Sequence, residues 1–337
     1  MTGSPPPPPG RATVPPPGRA PAPPATSLSV DAGHAGLRMD AFLFAALPFA
    51  SRTRLCQKIQ TGEARVNGNR IASSTRLREG DQVMVRWRGL PDASPAPLLD
   101  VLWEDELLLA VDKPAGLACH PMGRTQSGTV IQFARQRDEL RIRARLEEGD
   151  TGWYPRLVNR LDVFTSGIVL IARSRETLVA MQKMTAAGRV CKDYRALVEG
   201  VVTEEQGRIK LPLRLDPQGR VRVKMHVHPE GLACLTEWRV LRRLPGHTLL
   251  SVTLLSGRQH QIRAHLAAIG HPVVGDLLYK DEEQFLRYQE TGPGGSLPHR
   301  HCLHAERLRF PHPRSGASIT ITTPLPLDFL ETLSNIA

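Results

Sequence analysis

The segment Asn159-Arg160-Leu161-Asp162-Val163-Phe164-Thr165-Ser166-Gly167 gathers a carboxylate, a guanidinium and two hydroxyls into nine residues, then runs straight into the apolar stretch Ile168–Ala172. A polar turn anchored on a buried strand can hold a side chain against a substrate. There an aspartate can act as a covalent nucleophile, because an ionised carboxylate attacks an electrophilic carbon and later departs. Local residues also fit a plain capped turn, in which Asp or Ser bonds nearby backbone amides. A second chemistry is suggested by His299, His301, His304 and His312 near Cys302, with His260 and His265 earlier in the chain. Their spacing matches no usual zinc pattern. His260 and His265 fall on different faces of a helix, without the acidic base of an HExxH arrangement. Neither a metal nor an organic cofactor is expected.

Further segments bear on Asp162. They are Asp112-Lys113-Pro-Ala-Gly-Leu117 with His120-Pro121, Lys192-Asp-Tyr194-Arg-Ala-Leu-Val-Glu-Gly200, and Gly257-Arg258-Gln-His260-Gln-Ile-Arg263-Ala-His265 running on to Gly270-His-Pro-Val-Val-Gly-Asp276. Leu303-His-Ala305 follows, before Phe310-Pro-His-Pro313. With the Asp162 segment, and in this order, they resemble the RluA family of pseudouridine synthases across nearly all of the chain from Leu107 onward. The family pattern at the aspartate is His-Arg-Leu-Asp-x-x-Thr-Ser-Gly, from which the chain departs only at Asn159. It also carries Ser256 where Thr is usual. Asn shares the hydrogen-bonding capacity of neutral His but cannot titrate.

The resemblance implies a nucleophile at Asp162, a tyrosine packed against the target base at Tyr194, and an ionic partner of the carboxylate at Arg263. Arg160 is implied to contact RNA and to fill the space of a flipped-out base. Lys113, Arg258 and His260, basic residues of the same motifs, are expected RNA contacts as well. The implied reaction breaks the N1–C1′ bond of uridine, turns the uracil and rejoins it through C5. It needs a nucleophile and a closed pocket rather than a cofactor. Attack at C1′ and attack at C6 both remain open. Ribosomal RNA of the large subunit is the expected substrate and transfer RNA the second class. The alternative is a non-catalytic RNA-binding protein that keeps the fold, for which Asn159 is the main argument.

The surrounding elements must position these residues. The chain has 337 residues, enough for two domains, and a net charge of +11, which favours a polyanionic partner. From Leu37 to Leu90 there are ten Arg and Lys against four Asp and Glu, so +6 of that charge lies in one short module. Residues 1–30 are dominated by Pro, Ala, Gly and Ser and read as a disordered tail. From Met39 apolar residues fall at helical spacing as far as Leu47, and a second helix follows from a Ser51 cap to a stop at Gly62. Asn67-Gly68 marks a tight turn between short extended pieces, and Val83, Val85 and Trp87 alternate as in a strand. This unit, residues 31–92, resembles the S4 RNA-binding domain, with Arg52, Arg54 and Lys58 expected to meet phosphates.

A Pro-rich break precedes residues 98–335, where strands at Ile168–Ala172, Arg195–Val198, Leu249–Leu254 and Ile319–Thr322 mix with helices at Glu176–Met184 and Gln261–Ile269. Strands and helices do not alternate strictly, so an α+β domain on a mixed, largely antiparallel sheet is expected. No run of about 18 apolar residues exists to span a membrane. The five cysteines form no CxxC pair, and the N-terminus lacks the apolar core of a secretory signal. A cytoplasmic monomer acting on RNA is expected.

Overall fold

The computed structural model describes residues 25–47, 50, 52–87, 96–121, 128–142, 155–215, 219–254, 257–291 and 300–337; for residues 52, 53 and 288–291 only the backbone is described. The expected Ser51 cap, most of the Pro-rich break and Ser256 lie outside these residues. Among the described residues no helix is long and apolar enough to cross a membrane.

The N-terminal module is built on strands β1 (Ala25–Ser29), β2 (Ala64–Val66) and β3 (Gln82–Arg86), in the order β1-β3-β2, with helices α1 (Met39–Ala46) and α2 (Arg52–Thr61) packed on them. Strand β1 falls in the segment expected to be tail. It pairs antiparallel with β3, and alternate residues such as Leu28 reach the module's core, so the ordered unit starts earlier than composition suggests. Val83, Val85 and Trp87 alternate into the core as expected, each at most 2% exposed. Asn67 and Gly68 both take left-handed backbone, the geometry of a tight hairpin turn. Asn67 fixes that turn to the next strand: its Nδ2 donates to Asp81 Oδ1 at 2.8 Å and its Oδ1 accepts from the Gln82 amide at 2.8 Å. Helix α2 stops at Gly62, whose φ of +71° suits glycine.

The larger domain is one sheet of ten strands. Its path runs β4 (Val101–Glu104), β5 (Leu108–Lys113), β7 (Ser166–Ala172), β14 (Leu303–Pro311), β8 (Cys191–Glu199), β13 (His247–Leu254), β12 (Thr236–Leu244) and β9 (Gln206–Ile209). Strand β6 (Arg156–Leu157) adds to β7, and β15 (Ser318–Thr322) to β14. A separate hairpin joins β10 (Leu213–Leu215) to β11 (Met225–Val227). Among the described pairs only β7 with β14 is parallel, so the sheet is mixed and largely antiparallel, as the sequence suggests.

Both faces of the sheet are covered. One carries helix α4 (Arg175–Ala186) through Met181 and Met184. The other packs on α3 (Val130–Arg137), α5 (Gln261–Ala268) and the C-terminal α8 (Leu327–Ile336). Burial on both faces explains why β7 reads as a continuous apolar run rather than an alternating one. Short helices α6 (Leu277–Lys280) and α7 (Glu282–Thr291) follow α5.

The centre of the sheet depends on Gly167. Its φ is +112°, and a Cβ there would overlap the backbone of Ala305 on β14. The glycine lets β14 lie beside β7 at the point where the Asp162 loop enters the sheet.

Candidate active site

The segment Leu161–Ser166 leads from β6 into the start of β7, and almost every residue in it is held from outside. The Leu161 amide and carbonyl both meet Cys119 Sγ, at 3.4 Å each. The Val163 carbonyl accepts from the Gly116 amide and from Lys113 Nζ, both at 2.9 Å. The Phe164 carbonyl accepts from Arg300 Nη1 at 3.3 Å. Thr165 Oγ1 bonds His301 Nε2 at 2.7 Å, and Ser166 Oγ bonds His304 Nδ1 at 2.9 Å. The Thr165 amide closes the turn onto the Asp162 carbonyl at 3.1 Å. Arg300 is itself gripped by Asp328 of α8, through contacts of 2.5 and 2.9 Å. The loop backbone is thereby fixed, while the Asp162 side chain keeps 27% of its exposure.

That carboxylate meets a guanidinium. Arg263 Nη1, on α5, donates to Asp162 Oδ2 at 2.8 Å. Its Nε and Nη2 make a two-point contact with Asp276, at 2.5 and 2.7 Å. Arg263 is 6% exposed and Asp276 1% exposed, so the pair is a buried ion pair with its geometry satisfied. Burial works against the Arg263 charge, but hydrogen bonding and attraction from Asp276, and then from Asp162, hold the guanidinium protonated above its ordinary range. Tyr279 lies under it, with Cζ 5.1 Å from the ring centre.

Two more groups border the carboxylate. His260, which precedes α5, takes a left-handed backbone conformation and brings Nε2 to 3.8 Å from Asp162 Oδ1, while its Nδ1 lies 3.2 Å from the Tyr279 hydroxyl. Burial lowers its pKa despite Asp162, so the ring is neutral at pH 7. Tyr194, on β8, is 7% exposed. Burial first, then the negative charge of Asp162, pushes its phenol above the ordinary tyrosine range, so it stays protonated. The site therefore combines a carboxylate, a permanent cation, a neutral imidazole and a neutral phenol.

The structure brings together Asp162, Tyr194, Arg263 and His260 among the expected residues. Arg160 and Arg258 are exposed. Lys113 is a correction. It was expected on the RNA, but it is fully buried and donates to the carbonyls of Pro114, Leu117 and Val163 at 2.8 to 2.9 Å. Burial pushes its pKa down to about 8, and its role is to tie the β5 loop to the Asp162 loop. His260 is a partial correction, since its side chain is 10% exposed and faces the carboxylate rather than solvent. In the N-terminal module Lys58 is corrected in the same way: 6% exposed, it bonds Glu63 at 2.9 Å and lies 5.3 Å from the Trp87 ring centre. Arg54 is half-buried, 5.7 Å from the same ring, and the Arg52 side chain lies outside the described residues.

Asn159 has a local role. Its Oδ1 accepts from the Leu170 amide at 2.7 Å and its Nδ2 donates to the Ile168 carbonyl at 3.1 Å. The side chain thus extends the ladder between β6 and β7 as a backbone peptide would. The histidines suggested for a metal are engaged elsewhere: His301 and His304 on the loop, His265 on Thr236 and the Leu211 carbonyl, His312 on Asp105. Among the described residues no three His, Cys, Asp or Glu side chains are grouped to hold a metal ion. The sequence assigns no role to Asp276 or Arg300 and suggests His301 only as a metal ligand; Asp276 is visible as the last residue of the Gly270–Asp276 motif.

Residues 107–268 match the RNA pseudouridylate synthase family. The chain is 35% identical over 307 residues to ribosomal large subunit pseudouridine synthase D of Xanthomonas campestris pv. campestris, covering 89% of each chain. It is 34% identical over 318 residues to an uncharacterized RNA pseudouridine synthase of Synechocystis, covering 90% of each. Its fold is shared with human RNA pseudouridylate synthase domain containing 4, at 23% identity and a TM-score of 0.51 over 70% of this chain and 92% of that one. Sheet, site and relatives together define an RNA pseudouridine synthase, an isomerase. The chain belongs to the RluA family of these enzymes.

Proposed function

We propose that Asp162 is the nucleophile with which this enzyme isomerises specific uridines in structured RNA, and that the RNA is ribosomal RNA of the large subunit. The observation that carries the reading is the Asp162–Arg263–Asp276 array. A part-exposed carboxylate on a fixed loop is held at 2.8 Å by a guanidinium that is locked from behind by a second, buried carboxylate. Arg263 steadies Asp162 in the form that attacks, and Asp276 keeps Arg263 aligned when that bond loosens during attack. The electrophilic carbon is C1′ of the ribose or C6 of the base. Either route separates N1 from C1′, joins C5 to C1′, and moves one proton from C5 to N1, so no atom or electron is gained or lost.

Tyr194, flat and neutral, packs against the uracil. Arg160, exposed two residues before the nucleophile, occupies the space that the flipped uridine leaves. Arg258 meets the RNA backbone, and the N-terminal module, read as S4-like, adds phosphate contacts through its exposed basic residues. The large-subunit choice is supported by the name of the Xanthomonas relative, which the chain matches over 89% of its length.

The test is to supply the purified enzyme with large-subunit ribosomal RNA and with transfer RNA from cells lacking its gene, and to map pseudouridine in both. The expected result is new pseudouridine at defined positions of the ribosomal RNA and none with Asp162→Asn. Modification confined to transfer RNA would overturn the substrate, and modification by Asp162→Asn would overturn the nucleophile.

A further inference from the structure

Among the described residues the deeply buried cations of this protein have partners, Arg135 over the Phe44 ring at 4.6 Å included, and Lys192 stands apart from them. Lys58 has Glu63, Lys113 three carbonyls, Arg173 has Asp138 and Glu104, and Arg263 and Arg300 have their aspartates. Lys192 is 9% exposed, yet no carboxylate, carbonyl or hydroxyl of the described residues accepts from its ammonium. Burial alone depresses its pKa, and no neighbouring carboxylate compensates. An ammonium has three donors and no acceptor, so a buried one without a protein partner leaves those donors to solvent or to a ligand.

Its position suggests which ligand. Lys192 lies on β8 two residues before Tyr194, opposite Leu254 at the end of β13. The chain leaving β13 passes over it at Gly257. A Cβ on Gly257 would stand 3.1 Å from Lys192 Nζ, a crowded distance, so the bare glycine packs beside the ammonium where a larger side chain would press on it. The same turn continues to exposed Arg258, to His260 beside Asp162, and to Arg263. A largely buried positive charge with no protein acceptor among the described residues thus adjoins the turn that borders the Asp162 carboxylate.

We propose that Lys192, beside Gly257, is a subsite for a backbone phosphate of the substrate RNA. This rests on the reading that the substrate strand lies over the Asp162 site. The ammonium supplies the charge and the donors, the phosphate supplies the acceptor oxygens that the protein withholds, and the contact anchors the strand beside the flipped uridine. Arg258, exposed on the same turn, extends this subsite outward.

The experiment measures binding of substrate RNA across a salt series in the Asp162→Asn background, with and without Lys192→Met, and turnover of Lys192→Met alone. With Lys192→Met the magnitude of the log K against log salt slope should fall by about 0.7 to 0.9, the value of one lost phosphate contact. KM should rise about tenfold, and kcat should fall less than threefold. Lys192→Arg should recover part of the affinity. Gly257→Ala should weaken binding when Lys192 is present and add little when it is replaced. If Lys192→Met fails to fold, Lys192→Arg and Gly257→Ala carry the same comparison. An unchanged slope and KM in the folded variants would overturn the proposal and leave Lys192 a residue of the fold. Failure of Asp162 as nucleophile would appear instead as turnover by Asp162→Asn, which the slope does not report.

Discussion

The Asp162 loop and the basic helix α2 are both rich in charge, and they use it in different ways. Around Asp162 the charged and polar side chains are enclosed and mutually bonded: Lys113, Arg263, Asp276, Arg300 and His301 are all 8% exposed or less. On α2 Lys58 folds under Trp87 onto Glu63, whereas Arg54 is only half-buried beside the same ring. Rigidity is concentrated around the proposed nucleophile, and a reacting group gains from being fixed in place. A module proposed to meet RNA along its backbone needs charge more than fixed geometry. A lost contact should therefore cost rate in the first region and salt-dependent affinity in the second.

The sharpest break of this contrast is Arg263→Lys. An ammonium cannot reach both Asp162 and Asp276 in two-point geometry, so single-turnover rate should drop on the order of a hundredfold, about 2.7 kcal/mol of barrier. A rate near that of the parent would show that the array does not matter to catalysis. His301→Ala removes the acceptor or donor of Thr165 and should lower the rate about tenfold, about 1.4 kcal/mol. A pH effect accompanies it. Burial holds His301 well below the ordinary histidine range, so below about pH 6.5 the unfolded chain binds a proton that the folded state refuses, and stability falls with pH. Melting temperature compared at pH 7.5 and 5.5 should fall less for His301→Gln than for the parent; equal falls would remove His301 from the account.

Smaller effects test the edges. Asn159→His should change turnover by less than about tenfold, within about 1.4 kcal/mol, because its amide serves the β6–β7 ladder rather than the carboxylate. A larger gain in rate would mean that Asn159 limits the site. Least of all, Lys58→Met should leave the salt slope of RNA binding unaltered, whereas Arg54→Ala should lower its magnitude by about 0.7 to 0.9. If the two variants behaved alike, α2 would not divide into a packed and an RNA-facing side.

These contrasts follow what the sequence makes legible. The strands of the large domain were readable because β-branched runs such as Ile168–Ala172 carry their own signal, and Asp162, Tyr194 and Arg263 because they sit in ordered motifs. Asp276 was not assigned, since its contact with Arg263 depends on how the chain turns between α5 and α6. His301 and Arg300 reach the loop from more than 130 residues away, which no local pattern encodes. Lys113 and Lys58 were misplaced because residue type reveals charge, not depth. Lys113 belongs to a strand buried along nearly its whole length, and Lys58 is covered because the chain turns back at Gly62 and presents Glu63. Strand β1 was hidden by the Pro-rich composition just before it.

Asp162 is proposed to attack while its fixed loop and Arg263 hold it in place. The most direct measurement is single-turnover release of the C5 hydrogen from labelled uridine in substrate RNA, made with Asp162→Asn beside the parent at RNA concentrations that saturate both. The amide keeps the size of the carboxylate but is a very poor nucleophile, so release should vanish while the RNA remains bound. Release at a substantial fraction of the parent's rate would contradict the account.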